Sequence, residues 1–271
     1  MLILGLDTST ERSSVCLGSG EGLLAAASSG RPQRHGEVVA PAIDWCLQHA
    51  GVGLEDVTAV AVTLGPGLYT GLRVGIATAQ TLAHARGLAA VGRSSLDVLA
   101  AGLREPPEAA RVWAVIDARR GELFWAPYRA IDGSVVADGP ARVGKVDELG
   151  AEVEAAGTPA RCVGDGAVAH AERLEQAGAR VASPWLAHPS ADVLTELAAT
   201  DVARGATVRP GELQPVYLRP ADARIGWRQR GAVRGGAGAA VGSTEAAPAA
   251  APGGAGAEHA AGAASRGGGS A

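Results

Sequence analysis

Lysine is almost missing from this chain. Lys145 is the lone example among 24 basic residues, all others being arginine, a usage that reads as coding bias rather than chemistry. With no lysine beside any glycine-rich stretch, the phosphate-loop pattern G-x-x-x-x-G-K-[ST] is excluded. Cysteine is scarce as well. Cys16, Cys46 and Cys162 lie far apart with no C-x-x-C, which argues against a disulfide framework and for buried thiols in a reducing compartment. The histidines form neither H-x-x-x-H nor H-E-x-x-H, so no metal site is expected. No G-x-S-x-G marks a nucleophile turn, and no catalytic residue is assigned. Long apolar runs are absent, which excludes a membrane-spanning helix. A net charge of −4 demands no polyanionic partner.

What is present suits a globular α/β protein. The chain has 271 residues, 47% of them apolar, enough for one large or two smaller cores. The opening stretch MLILGLDTST has no basic run before its apolar residues and reads as a strand, not a signal peptide; a cytoplasmic location is expected. Further strands are expected at SSVCLG and LLAAAS, at 57–64, at 88–91 and at 160–163. Helices are expected from about Glu37 to Ala50, from Gly71 to Arg86, and from Ser94 or Ser95 to Leu103. Others are expected near 146–156, 166–177 and 190–204. Glu105-Pro106-Pro107 breaks the chain and suggests a boundary between residues 1–105 and 106–225. ILGLDTSTERSSVCL is echoed by VWAVIDARRGELFWAPY at 112–128, each an apolar strand ending in aspartate, a turn and a second strand. Duplication explains the echo, and so does the generic look of any strand–turn–strand. From 226 to 271 the composition falls to Gly, Ala, Ser and Pro, for which disorder is expected. Arg224, Arg228, Arg230 and Arg234 make its start basic, which fits a solvated linker better than an RNA contact.

The densest stretch is TLGPGLYTGLRVGIATAQTLA at 63–83. It misses the dinucleotide fingerprint, because Thr70 stands where the third glycine belongs. Asp7, Thr8, Gly65, Gly67 and Asp117 are the candidates for a vestigial phosphate site. Asp7 and Asp117 suit paired carboxylates around a metal-bound phosphate, although strand-end aspartates more often cap the following turn. Gly71, Gly75, Ala79 and Ala83 recur every four residues and lay a strip of small residues along one helix face. Such a strip admits a close neighbour, either the protein's own sheet or a partner's helix. Arg73 sits in the first helical turn, against the dipole, so a carboxylate partner is expected, with Asp7 or Glu37 as candidates and a solvated side chain as the alternative.

Taken together, ILGLDTST, GPGLYTGLRVGIATAQTLA, SSLDVLA, VIDARRGELFWAPY and PVYLRPADA closely resemble the bacterial TsaB (YeaZ) family over residues 1–222. Leu68-Tyr69 stands where that family often has Ser-Phe. The resemblance implies a two-lobed, actin-like (ASKHA, ribonuclease H-like) fold with duplicated mixed sheets flanked by helices. It implies a scaffold subunit, inactive alone, in the threonylcarbamoylation of adenosine 37 (t6A37) of tRNAs reading ANN codons. Partners would be a TsaD-like catalytic paralogue and a TsaE-like ATPase, with tRNA met only through the complex and no membrane. A homodimer is a further possibility. No intrinsic cofactor is expected, with ATP or ADP at the complex interface left open. Docking would use the helices at 37–50 and 71–86, so Val39, Ile43, Cys46, Leu47, Gly71, Gly75, Ala79 and Ala83 are the expected interface. Gly75→Leu is then expected to break the complex and leave the monomer folded. The competing readings are an actin-fold ATPase or kinase using Asp7, the 65–71 loop and Asp117, and, last, a peptidase.

Overall fold

The structure, a computed structural model, describes residues 1–30, 34–104, 110–131, 134–157 and 159–219. The expected boundary at 105–107 and the expected disordered tail at 226–271 lie outside these residues. The chain divides into a unit spanning Met1–Asp222, which holds everything described below, and a second, Ala223–Ala271.

The first sheet is built from β1 (Leu2–Asp7), β2 (Ser13–Ser19), β3 (Gly22–Ser29), β4 (Ala59–Gly65) and β5 (Ala89–Ser94), in the order β3-β2-β1-β4-β5. The hairpins β1–β2 and β2–β3 are antiparallel, while β4 runs parallel to β1 and β5 parallel to β4. Parallel neighbours need crossovers, supplied by α1 (His35–Ala50) and α2 (Tyr69–Arg86). β1 and β4 read as unbroken apolar runs because both faces of the sheet are covered. Leu4, Leu6, Val60 and Val62 face α1 and α2, packing with Val39, Ile43, Cys46, Leu72, Ile76 and Ala79. One residue out of register, Ile3, Ala59 and Ala61 face the other way, against Val98 of α3 (Ser95–Ala101) and Val193, Leu194 and Ala198 of α7 (Ala191–Ala203).

The second sheet repeats the scheme. β6 (Arg111–Arg119) pairs antiparallel with β7 (Glu122–Ile131) and parallel with β10 (Ala160–Val163), as β1 pairs with β2 and β4. β8 (Ser134–Ala137) and β9 (Arg142–Gly144) add to β7, and β11 (Ala179–Val181) adds to β10. The sequence echo is therefore architectural: each aspartate ends the strand shared between a hairpin and a parallel crossover. This is the duplicated, actin-like arrangement that the resemblance implies. Trp113 and Trp125 pack under α4 (Val146–Ala156) and Leu174. The helix expected at 166–177 is two, α5 (Asp165–Ala169) and α6 (Ala171–Gln176), separated at His170 by a non-helical φ of −120°.

The lobes are not consecutive in sequence. α7 returns from the second lobe to the first sheet, so closely that a Cβ on Gly5 would stand 2.2 Å from Thr195 Oγ1. α3 serves both lobes, with Val98 on the first sheet and Leu96, Leu99 and Ala100 on the second. A strap at 206–219 then crosses the first lobe. Val208 bridges Ala90, Leu213 is wholly buried in the core beneath α2, and Val216 N–H donates to Leu64 O at 2.7 Å. Its end reaches the second lobe, where Arg219 donates to Glu122 at 2.7 Å and to Ala118 O at 3.2 Å.

Candidate functional site

Three turns meet the cleft side of the two sheets: residues 7–10 after β1, 65–71 before α2, and 117–122 between β6 and β7. Asp7 is fully buried. Its Oδ1 accepts from Thr63 Oγ1 and Ser9 Oγ, both at 2.7 Å, and from Ser9 N–H at 3.3 Å. Its Oδ2 is buried without a partner among the described residues. Burial pushes the carboxyl above its ordinary range, against the pull of the Thr63 and Ser9 hydrogen bonds.

The glycine loop lies directly on this turn. Leu68 N–H donates to Ser9 O at 2.7 Å, and Thr8 Oγ1 donates to Gly71 O, also at 2.7 Å. A Cβ on Gly67 would stand 2.1 Å from Ser9 O, and one on Gly71 2.1 Å from Thr8 O. In a phosphate cradle such open glycine surfaces face the ligand. Here they face the backbone of residues 8 and 9. Asp7, Thr8 and Gly67 are thus brought together, while Gly65 faces Val216 O and Leu72, and the residues present do not fit a nucleotide phosphate between the two turns.

Asp117 caps its own hairpin. Its Oδ1 accepts from Arg119 N–H at 2.7 Å and its Oδ2 lies 3.1 Å from Arg119 Nη1. This stabilises an unusual turn in which both Arg119 and Arg120 hold left-handed φ, 65° and 59°. Arg119 then crosses to the first lobe and pairs with Glu11. Asp117 N–H donates to Asp165 Oδ1 at 3.0 Å; burial raises the Asp165 carboxyl to about 6, despite that bond and one from Gly166 N–H. Glu11 and Arg119, with His35, Leu68, Tyr69, Thr70 and Gly71, line an open cleft of about 600 Å³. A contact with no signal in the spacing is Ser13 Oγ to His35 Nδ1, 2.7 Å. Both residues are buried, and burial lowers the His35 pKa, so the pair anchors α1 to β2 rather than offering a nucleophile. Among the described residues no three His, Cys, Asp or Glu side chains gather to hold a metal.

The expected docking residues need correction. Val39, Ile43, Cys46, Gly71, Gly75, Ala79 and Ala83 are buried within this chain, and Leu47 packs on the same core. The small strip lies on the protein's own sheet: a Cβ on Gly75 would stand 2.4 Å from Thr8 Oγ1 and 3.4 Å from Val62 Cγ2. Gly75→Leu would therefore disrupt the monomer itself. The faces open to a partner are the opposite ones: Ala40, Pro41, Asp44, Trp45 and Gln48 on α1, and Tyr69, Arg73, Ala77 and Thr81 on α2. Arg73 also departs from expectation. It pairs with neither Asp7, which is sealed in the core, nor Glu37, which pairs with Arg34 at 2.7 Å. Its guanidinium lies 4.1 Å over the Tyr69 ring, and its Nε donates to Tyr217 Oη at 3.3 Å. Tyr217 was invisible as a site residue because the strap brings it back over a separation of 144 positions.

Fold and site define a two-lobed, actin-like α/β protein whose glycine loop is packed shut by its own backbone. Comparison with known proteins then narrows the class. Residues 31–203 match the family model described as "TsaD: tRNA N6-adenosine threonylcarbamoyltransferase". The chain is 31% identical to the tRNA threonylcarbamoyladenosine biosynthesis protein TsaB of Escherichia coli K12, over 84% of this chain and 98% of that one. It is 30% identical to the Haemophilus influenzae protein of the same name, over 81% and 94%. Among solved structures, YeaZ from Pseudomonas aeruginosa superposes with a TM-score of 0.66 at 30% identity, covering 80% of this chain and 99% of that one. The chain belongs to the TsaB (YeaZ) family.

Proposed function

We propose that this chain is the non-catalytic, activating subunit of a tRNA N6-adenosine threonylcarbamoyltransferase. It would bind a TsaD-type catalytic subunit for modification of adenosine 37 in tRNAs reading ANN codons. The observation that carries this reading is the closed glycine loop in a chain that aligns with TsaB over nearly the whole of that relative. The open sides of Gly67 and Gly71 are taken up by the carbonyls of Ser9 and Thr8, which leaves neither glycine free to lie against a phosphate. What the loop launches, α2, keeps one face in the core and leaves the other for a partner. Docking is assigned to the outer faces of α1 and α2, with the TsaE-type ATPase joining the assembly, the tRNA held through the complex, and the whole in the cytoplasm. No helix of the described residues is long and apolar enough to cross a membrane.

Reconstitution tests the reading. Purified chain, a TsaD-type transferase, a TsaE-type ATPase and unmodified tRNA are supplied with threonylcarbamoyl-adenylate, and nucleosides are analysed by mass spectrometry. Threonylcarbamoyladenosine is expected only when the chain and the transferase are both present. Modification or brisk ATP hydrolysis by the chain alone would overturn the assignment.

A further inference from the structure

We infer that the strap and the first turn of α2 together form the docking hot spot for the catalytic subunit, with Arg73 receiving one of that subunit's carboxylates. This rests on the function proposed above and names a contact surface within it. Tyr69 and Tyr217 stack with ring centroids 5.2 Å apart, at an interplanar angle of 29°, and both are about two-fifths exposed. Val216 beside them is exposed as well, so large apolar groups from two distant segments share one patch of surface. Exposed Tyr–Arg clusters of this kind are what anchors a protein interface.

The charge of the occupant follows from Arg73. Its cation stands in the first turn of α2, where the helix dipole opposes it. Among the described residues it is in no ion pair; its contacts are the Tyr69 face and the Tyr217 hydroxyl. The Tyr69 ring and the Tyr217 hydroxyl hold the guanidinium in place, and its planar fork is suited to a carboxylate. Surroundings favour a protein over RNA. The chain is net acidic at −4, and Glu11 and Arg119 offset each other in the neighbouring cleft. The exposed α2 positions one and two turns beyond Arg73, Ala77 and Thr81, are small and uncharged, with His84 and Arg86 only in the helix's last turn. A small, neutral helix face lets another helix approach, whereas a phosphate backbone would call for more than one cation. Because Leu213 is locked into the core and Gln80 donates to Leu213 O at 2.9 Å, the strap presents Tyr217 without further ordering.

The test is isothermal titration of the full chain with the TsaD-type transferase of the same cell. Arg73→Glu is expected to weaken binding about 30-fold or more, and Tyr217→Ala about fivefold. Trp185→Ala, at an exposed aromatic outside the patch, is expected to stay within about twofold. Circular dichroism and the melting temperature of Arg73→Glu should match the parent, since the side chain is exposed. If the unaltered chain binds but Arg73→Glu and Tyr217→Ala both remain within about twofold of it, the hot spot is wrong and the function stands. If the unaltered chain does not bind, both fall. Loss of self-association or of tRNA binding in Arg73→Glu, with transferase binding intact, would reassign the patch to a second copy or to RNA.

Discussion

The two aspartate-ended hairpins of this molecule share a topology and differ in everything else. Asp7 is sealed, its turn roofed by the glycine loop and its hydrogen bonds supplied by Ser9 and Thr63. Asp117 lies at the rim, bonded to the backbone and guanidinium of Arg119. One copy has become a packing joint and the other a surface turn with an arm across the cleft. The difference teaches that a carboxylate at a strand end carries no fixed role. Its role depends on what the following loop leaves open.

Substitutions can break that comparison. Gly71→Ala should cost about 3 kcal/mol, because the neighbour at 2.1 Å is the Thr8 carbonyl and backbone cannot step aside. Its rim counterpart, Gly121→Ala, meets nothing within 4 Å and should cost only about 1 kcal/mol, the strain of a left-handed alanine at φ 72°. Urea titration of both measures the contrast; equal losses would mean that the glycine loop is not the tighter joint.

Asp7→Ala should cost about 2 kcal/mol by stranding the Ser9 and Thr63 hydroxyls. Asp7→Asn keeps an acceptor and cannot ionise in a site where burial disfavours the charge, so its stability at pH 7 should equal or exceed the parent's. A loss as large as that of Asp7→Ala would show that the ionised form is needed.

Asp165 sharpens the pH side of the contrast. Its folded pKa of about 6 lies above its ordinary value of 3.8, so between those values the folded state binds more protons. Stability supplied by the protonated carboxyl is present below 3.8 and is lost as pH rises through 6. Relative to Asp165→Asn, the parent should lose about 2 kcal/mol between pH 4 and pH 7. Parallel unfolding curves for the two proteins across that window would refute this.

The smallest effect belongs to the rim. Glu11 and Arg119 are each roughly half exposed, so Glu11→Gln should cost about 0.5 kcal/mol at low salt and nothing measurable at high salt. A salt-independent loss above about 2 kcal/mol would mark the pair as a structural lock between the lobes.

Much of the fold could be read in advance. β1, β4 and β6 are short apolar runs bounded by aspartate or glycine, and α1 and α2 end at Gly51 and Gly87 with left-handed caps. Local chemistry suffices for such elements. β8, β9 and β11 were missed, since three or four residues carry few side chains for a period to register, and β10 alone among strands this short was expected, at 160–163. The small strip on α2 was seen, but not the side it faces, since a close-packed face looks the same whether the neighbour is Thr8 or another chain.

The two-lobed plan thus came from the family resemblance, while composition and spacing alone determined the α/β class, the lack of catalytic motifs and the existence of a close-packed α2. These depend on residues near one another along the chain, where periodicity and turn chemistry act. Only the tertiary structure decided that the glycine loop closes on residues 8 and 9, that Arg73 lies over Tyr69 and donates to the Tyr217 hydroxyl, and that 206–219 straps the lobes. Two of those contacts, Thr8 to Gly71 and Arg73 to Tyr217, join residues 63 and 144 positions apart. Nothing local encodes them; they arise when sheets and helices bury their shared faces and bring remote side chains within van der Waals reach.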